Sequence, residues 1–185
     1  MRIISGFAGG RRLHAPSTDA IRPTTDRVRE SLFGVLGELD DVIVVDGFAG
    51  SGALGCEAIS RGAARCYFFD TSRHAIDLIK ANLEVIRAED RAVVKKTTFK
   101  RGLMAIDQEP DLILLDPPYG AHALVQSAFD AILASPMVTS GALVVLEQDI
   151  DDALPELDAR AEIAQEHERV YGRTRITLWR LGEPA

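Results

Sequence analysis

The sequence predicts an α/β fold, a mostly parallel sheet with helices on both faces, on three observations. Val42 to Asp46 is an unbroken apolar run ending in an acid, followed by a glycine-rich turn at Gly50, Ser51 and Gly52 and an alanine-rich helical pattern to Arg61 and Gly62. Strands buried on both faces need such runs, and parallel sheets supply that burial. The strand-then-helix order recurs along the chain, with strands at Cys66 to Asp70, Ala92 to Lys96, Leu112 to Asp116 and Gly141 to Glu147. Finally, the segment from Ala159 to Leu181 alternates apolar and polar residues around Tyr171 and Gly172, which reads as a terminal antiparallel pair. Five parallel strands closed by that pair make a seven-stranded sheet.

Arg2 to Ser5 and Arg11 to Ala15 flank Gly6, Gly9 and Gly10, the pattern of a β-hairpin. Pro16 to Pro23 reads as a linker, so the chain divides into a basic hairpin and linker over 1–24 and one main domain over 25–185. From about Thr25 a helix extends to Leu39, with Val28, Leu32, Val35, Leu36 and Leu39 on one face. Further helices are expected from Ser72 to Arg87 and from Ala123 to Ala134. Trp179 is expected in the core or at a sheet edge. His74 is read as a surface residue, and His122, just after the fourth strand, as a helix-start surface residue that could line a substrate mouth.

A chain of 185 residues suits one domain, and no apolar run approaches the length of a membrane span. No secretory signal is visible and the protein is expected in the cytoplasm, as a monomer. Its two cysteines, Cys56 and Cys66, match no metal spacing and are expected to be reduced packing residues, so no metal is expected. Net charge is −7, yet residues 1–30 hold six arginines against three acids. An acidic protein can still present one basic face to phosphates.

The glycine loop is a candidate nucleotide-cofactor site. Gly50, Gly52 and Gly55 match GxGxxG, a pattern shared by several cofactors. Asp46 at the strand end separates them: a pyrophosphate there would be repelled, whereas an ammonium suits a carboxylate. Asp70, at the end of the next strand, is placed to accept hydrogen bonds from ribose hydroxyls. Together they favour S-adenosylmethionine over NAD, with an NAD oxidoreductase as the weaker alternative.

The second decisive stretch is DLILLDPPY, Asp111 to Tyr119. Pro117 and Pro118 force the chain to leave the sheet stiffly at the carboxyl end, where open α/β sheets bind ligands. Asp116 and nearby carbonyls then form fixed acceptors beside the Tyr119 ring, a set that fits the exocyclic amine of a nucleobase. Holding the amine hydrogens there turns the nitrogen lone pair toward an electrophilic methyl group, which is catalysis by position and electrostatics.

At these residues the chain resembles class I S-adenosylmethionine-dependent methyltransferases of the [DN]PP[YF] type. With MRIISGFAGGRRL, IRPTTDRVRESLF, DGFAGSGALGCEAISRGA, LLDPPYG and LVVLEQD in order, it resembles the RsmD family over nearly its whole length. The resemblance implies a Rossmann-like fold and methylation of a guanine N2 in small-subunit (16S) ribosomal RNA, free or in an assembling subunit. It implies catalytic roles for Asp116, Pro117, Pro118 and Tyr119. Cofactor contacts would come from Asp46, Phe48, Ala49, Gly50, Gly52, Asp70 and Thr71. Arg2, Arg11, Arg12, Arg22, Arg27 and Arg29 would meet RNA phosphates, with helix amides assisting.

Two departures from the family pattern stand out. Gly47 replaces a bulky apolar residue, which should loosen the strand end. KKTTFKRGL, Lys95 to Leu103, lacks the acid or amide expected to meet the adenine amine, leaving Thr98 and Phe99 as substitutes. Rival readings are a DNA or other RNA amino-methyltransferase acting on adenine N6 or cytosine N4, and an RNA-binding assembly factor without turnover. The chain leaves no room for a separate DNA target-recognition domain.

Overall fold

A computed structural model of the chain describes residues 1–16, 26–157 and 163–182. The predicted linker and Arg22 therefore lie almost wholly outside the described residues. In chain order the elements are α1 (Asp26–Leu36), β1 (Ile43–Gly47), α2 (Ala53–Ser60), β2 (Arg65–Asp70), α3 (Arg73–Ile86), β3 (Ala92–Lys96), α4 (Phe99–Leu103), β4 (Leu112–Leu115), α5 (His122–Leu133), β5 (Leu143–Asp149), β6 (Ile163–Tyr171) and β7 (Thr174–Leu181). They form one seven-stranded sheet of order β3-β2-β1-β4-β5-β7-β6. The first five are parallel, and β7 is antiparallel to both β5 and β6.

The order reverses between β1 and β4, so the loops after these two strands diverge at the carboxyl edge of the sheet. That crevice is where doubly wound sheets place ligands. One core layer joins α1, α2, α3 and the amino-terminal segment through Ile3, Leu32, Phe33, Ile59, Ile79 and Leu83. The other joins α4 and α5 through Phe99, Leu103, Val125, Phe129 and Trp179. Trp179 meets Phe129 edge to face at 5.0 Å. Each central strand feeds both layers by alternation: Val44 and Val45, or Phe68 and Phe69, go to opposite sides.

The sequence reading differs from the structure at some element ends. α1 stops at Leu36 because Gly37 takes a φ of 77°, a left-handed stop, so Leu39 reaches the core from a loop instead of from the helix. Val35, assigned to the buried face, is 40% exposed, and Phe33 is buried in its place. α4 went unpredicted: the cationic KKTTFKRGL segment gave no apolar stripe, yet Thr98 caps a short helix there.

The amino-terminal hairpin is a narrow loop with one β-bridge, Arg2 to Arg12. Ile3 N–H donates to the Arg11 carbonyl at 3.0 Å, and Gly10 N–H to the Ile3 carbonyl at 2.9 Å. The loop is anchored on α2. The fully buried Glu57 accepts from the Ile4 and Ser5 amides at 2.7 and 3.0 Å, while the Ser60 hydroxyl accepts from Ala8 N–H at 3.0 Å. Gly6 allows this approach, since a Cβ there would stand 1.7 Å from the Ser60 carbonyl oxygen.

Candidate functional site

The site begins at the end of β1. Asp46 is buried, and its Oδ2 accepts from Gly55 N–H at 2.9 Å, which ties the start of α2 to the strand. Its Oδ1 is buried with no hydrogen-bond partner. Burial pushes the carboxyl well above the usual aspartate range, and the nearby Asp116 and Asp70 carboxylates push it the same way. A buried acceptor of this kind in a shared acidic field is a place for a cation.

The turn that follows is held from two sides. Ala49 N–H donates to the Phe69 carbonyl at 3.0 Å and Gly50 N–H to Asp70 Oδ2 at 2.9 Å, so the loop hangs on β2 as well as β1. Gly50 and Gly52 take φ of 54° and 73°, and a Cβ on Gly50 would meet only the Phe48 carbonyl oxygen, at 3.9 Å. Asp70 Oδ1 accepts from Ser72 N–H at 2.8 Å, which starts α3, and Thr71 is exposed beside it. Each carboxylate oxygen accepts more than one hydrogen bond, so Asp70 braces the loop and retains capacity for hydroxyls.

Phe48 sits at φ 66°, a left-handed conformation that a bulky side chain rarely adopts, and its ring stacks on Phe99 at 6.1 Å and 18°. Phe99 is buried, while the Thr98 hydroxyl accepts from Arg101 N–H at 3.5 Å. Gly47 does not loosen the strand end as the sequence suggested. The Phe99 ring fills the space beside it: a Cβ on residue 47 would stand 2.4 Å from Phe99 Cδ2 and 3.1 Å from Leu115 Cδ2.

The acceptor loop lies on the neighbouring strand. Gly47 pairs with Leu115 in register, so Asp116 leaves β4 directly beside Phe48 leaving β1. Pro117 is buried, Pro118 exposed and Tyr119 46% exposed. Asp152 pins the far end of this loop: its Oδ2 accepts from Gly120 N–H at 3.0 Å and its Oδ1 lies 3.6 Å from His122 Nε2. Asp152 is held in turn, its carbonyl accepting from Gln148 Nε2 at 2.8 Å and from the Arg175 guanidinium. His122 opens α5, and its link to Asp152 joins two loops that are remote in sequence.

Asn82 is another residue that the motifs did not reveal. It is fully buried on α3, where its Oδ1 accepts from His14 N–H at 2.7 Å and its Nδ2 donates to the carbonyls of His14 and Ser51 at 3.1 and 2.8 Å. One amide thus joins the amino-terminal segment to the glycine loop. The sequence signal was a polar residue among the apolar positions Ile76, Ile79, Leu83 and Ile86 of the same helix.

The predicted arginines separate. Arg2, Arg12 and Arg27 are exposed on the layer of α1. Arg11 is half-buried and donates to the Val85 carbonyl at 2.9 Å. Arg29 is a correction: it is 0% exposed, bonded to the Arg2 carbonyl and to Asp26 at 2.8 Å, with Glu57 at 3.9 Å. A buried guanidinium among acids and carbonyls organises the fold and meets no external phosphate. Cys56 and Cys66 are buried and free, and burial raises both thiols, so neither is poised as a thiolate nucleophile.

"Putative rRNA methyltransferase YlbH" of Bacillus subtilis is 35% identical, over 97% of this chain and 98% of its own length. Ribosomal RNA small subunit methyltransferase D of Escherichia coli is 32% identical, over 97% of this chain and 89% of its own. The solved structure "Putative methyltransferase yhhF from Escherichia coli" superposes with a TM-score of 0.84 at 30% identity, covering 98% of both chains. The family model described as Conserved hypothetical protein 95 matches residues 1–180, and the chain belongs to that family, the RsmD family.

Proposed function

We propose that this protein transfers a methyl group from S-adenosylmethionine to the exocyclic N2 of a guanine in small-subunit ribosomal RNA. The carrying observation is the register of Gly47 against Leu115, which sets the glycine loop and the Asp116-Pro117-Pro118-Tyr119 loop side by side at the switch point of the sheet. Relatives named as methyltransferases of ribosomal RNA support the same reading.

The residues fit the cofactor. Asp46 offers a buried acceptor without a partner, Gly50 leaves its stretch of the loop backbone uncovered while Gly52 lets the turn pack on Ile79 and Phe68, and Asp70 retains acceptor capacity. Phe48 and Ala49 follow β1, Thr71 follows β2, and Thr98 and Phe99 follow β3 at the same edge of the sheet. When bound, S-adenosylmethionine supplies an electrophilic methyl group on a sulfonium. Asp116 and the Pro117 carbonyl accept the two amine hydrogens and aim the nitrogen lone pair. The exposed Tyr119 ring takes the base face, and Pro118 keeps the loop stiff. Asp116 is also the base on this loop for the proton that the amine sheds. Arg2, Arg11, Arg12 and Arg27 face the RNA backbone, and Arg22 lies outside the described residues.

The test is methyl transfer from isotopically labelled S-adenosylmethionine to small-subunit RNA, to assembled small subunits and to duplex DNA, with products mapped by mass spectrometry. N2-methylguanine in the ribosomal substrates supports the proposal. A methylated adenine or cytosine, or transfer only to DNA, overturns it.

A further inference from the structure

Lys95 to Arg101 carries four cations and no acid in a chain of net charge −7. Lys95 is engaged, its Nζ donating to the Ala105 carbonyl at 2.9 Å. Lys96, Lys100 and Arg101 are exposed, and among the described residues none lies within 4.0 Å of a carboxylate. Three neighbouring cations without acids raise the local positive potential, which attracts an anion.

Their place in the fold selects that anion. Lys96 pairs in register with Asp70, and Thr97 N–H donates to the Asp70 carbonyl at 2.9 Å, so the segment leaves the same sheet edge as the glycine loop. Phe99, next to Lys100, stacks on Phe48. α4 belongs to the layer of α5, which starts just after Tyr119, whereas Arg2, Arg12 and Arg27 lie in the layer of α1. Met104, one turn beyond Lys100, is 77% exposed and offers an apolar contact within the same patch. S-adenosylmethionine carries no phosphate and has a net positive charge, so these cations work against the cofactor unless a polyanion screens them.

We infer that Lys96, Lys100 and Arg101 form a second phosphate-binding flank, so that the RNA straddles the sheet edge between this flank and the amino-terminal arginines. The inference rests on the RNA methyltransferase reading and adds a contact surface to it. Unstacked RNA is held by backbone contacts on either side of the splayed base, and this arrangement supplies both sides. It also accounts for the absence of an acid in the segment, since an acid there would oppose the phosphates.

The experiment compares the wild-type chain with the triple variant Lys96→Gln, Lys100→Gln, Arg101→Gln. RNA affinity is measured on a small-subunit RNA transcript over a range of salt, methyl transfer on the same RNA, and S-adenosylmethionine affinity by calorimetry. Removing three contacts to single-stranded phosphates should weaken RNA binding about tenfold or more at moderate salt and reduce the log–log salt slope by about 2. Cofactor affinity should hold or improve. Wild-type transfer together with unchanged RNA affinity and slope in the variant overturns this inference alone, as does a loss confined to cofactor affinity. A wild-type chain that binds no RNA overturns both this inference and the reading beneath it.

Discussion

Gly47 and Phe99 share one space: the ring of Phe99 lies where a side chain on residue 47 would begin, 2.4 Å from its Cβ position. The same ring stacks on Phe48 at the head of the glycine loop, so the packing at the end of β1 sets the loop's geometry. Gly47→Ala should destabilise the chain by roughly 1–3 kcal/mol through overpacking. Phe99→Ala should cost about 3–5 kcal/mol through the cavity. Combined, Gly47→Ala with Phe99→Ala should recover part of the loss because the clash is gone, a coupling that urea unfolding of wild type, the two single variants and the double variant measures. Strict additivity would remove the compensation.

Asp46 gives a pH dependence with a definite sign. Its carboxyl is held well above the usual aspartate range by burial, so the folded chain binds a proton that the unfolded chain releases. The stability from that proton is complete below the ordinary aspartate pKa and is lost as pH rises toward the folded value. Asp46→Asn keeps an acceptor for Gly55 N–H and removes the titration. Without cofactor, its melting temperature relative to wild type should rise between about pH 4 and pH 8, while its affinity for the cationic cofactor falls. A constant difference in melting temperature across that range contradicts the assignment.

Asn82 links His14 to Ser51, so Asn82→Ala removes three hydrogen bonds made by a buried amide and should cost about 1–3 kcal/mol. Because one of those bonds is to the glycine loop, S-adenosylmethionine affinity should fall by more than the stability loss explains at temperatures where the variant remains folded. Calorimetry at low temperature reads this directly. Cofactor affinity equal to wild type would confine Asn82 to the scaffold.

Asp152 holds the acceptor loop through Gly120 and His122. Asp152→Ala should reduce kcat for methyl transfer about tenfold or more by loosening the position of Tyr119 and Asp116. Cofactor affinity should stay within about twofold, because the glycine loop shares no bond with Asp152 among the described hydrogen bonds. Steady-state kinetics with calorimetry separates the two effects.

Much of the fold was legible because its signals are local. Apolar runs such as Val42 to Val45 and Leu112 to Leu115 mark strands buried on both faces, and the alternation around Tyr171 marks the antiparallel pair. The site motifs were legible for a related reason: glycines and prolines fix backbone shape without reference to distant residues. What escaped were contacts between segments remote in sequence. Arg29 looked like a surface cation, and it is buried where the Arg2 carbonyl and Glu57, both remote in sequence, meet it. Gly47 looked like a defect until Phe99, far along the chain, was placed beside it. Asp152 and Asn82 belong to no motif, since each acts through backbone groups whose neighbourhood tertiary structure creates.

The most direct measurement is single-turnover methyl transfer by Asp116→Ala on small-subunit ribosomal RNA, with cofactor and RNA affinities determined on the same preparation. The rate should fall at least about 100-fold below wild type with both affinities close to wild type, since Asp116 acts on the amine during transfer and not on binding. A rate equal to wild type would take Asp116 out of the chemistry and contradict the mechanism proposed for this site.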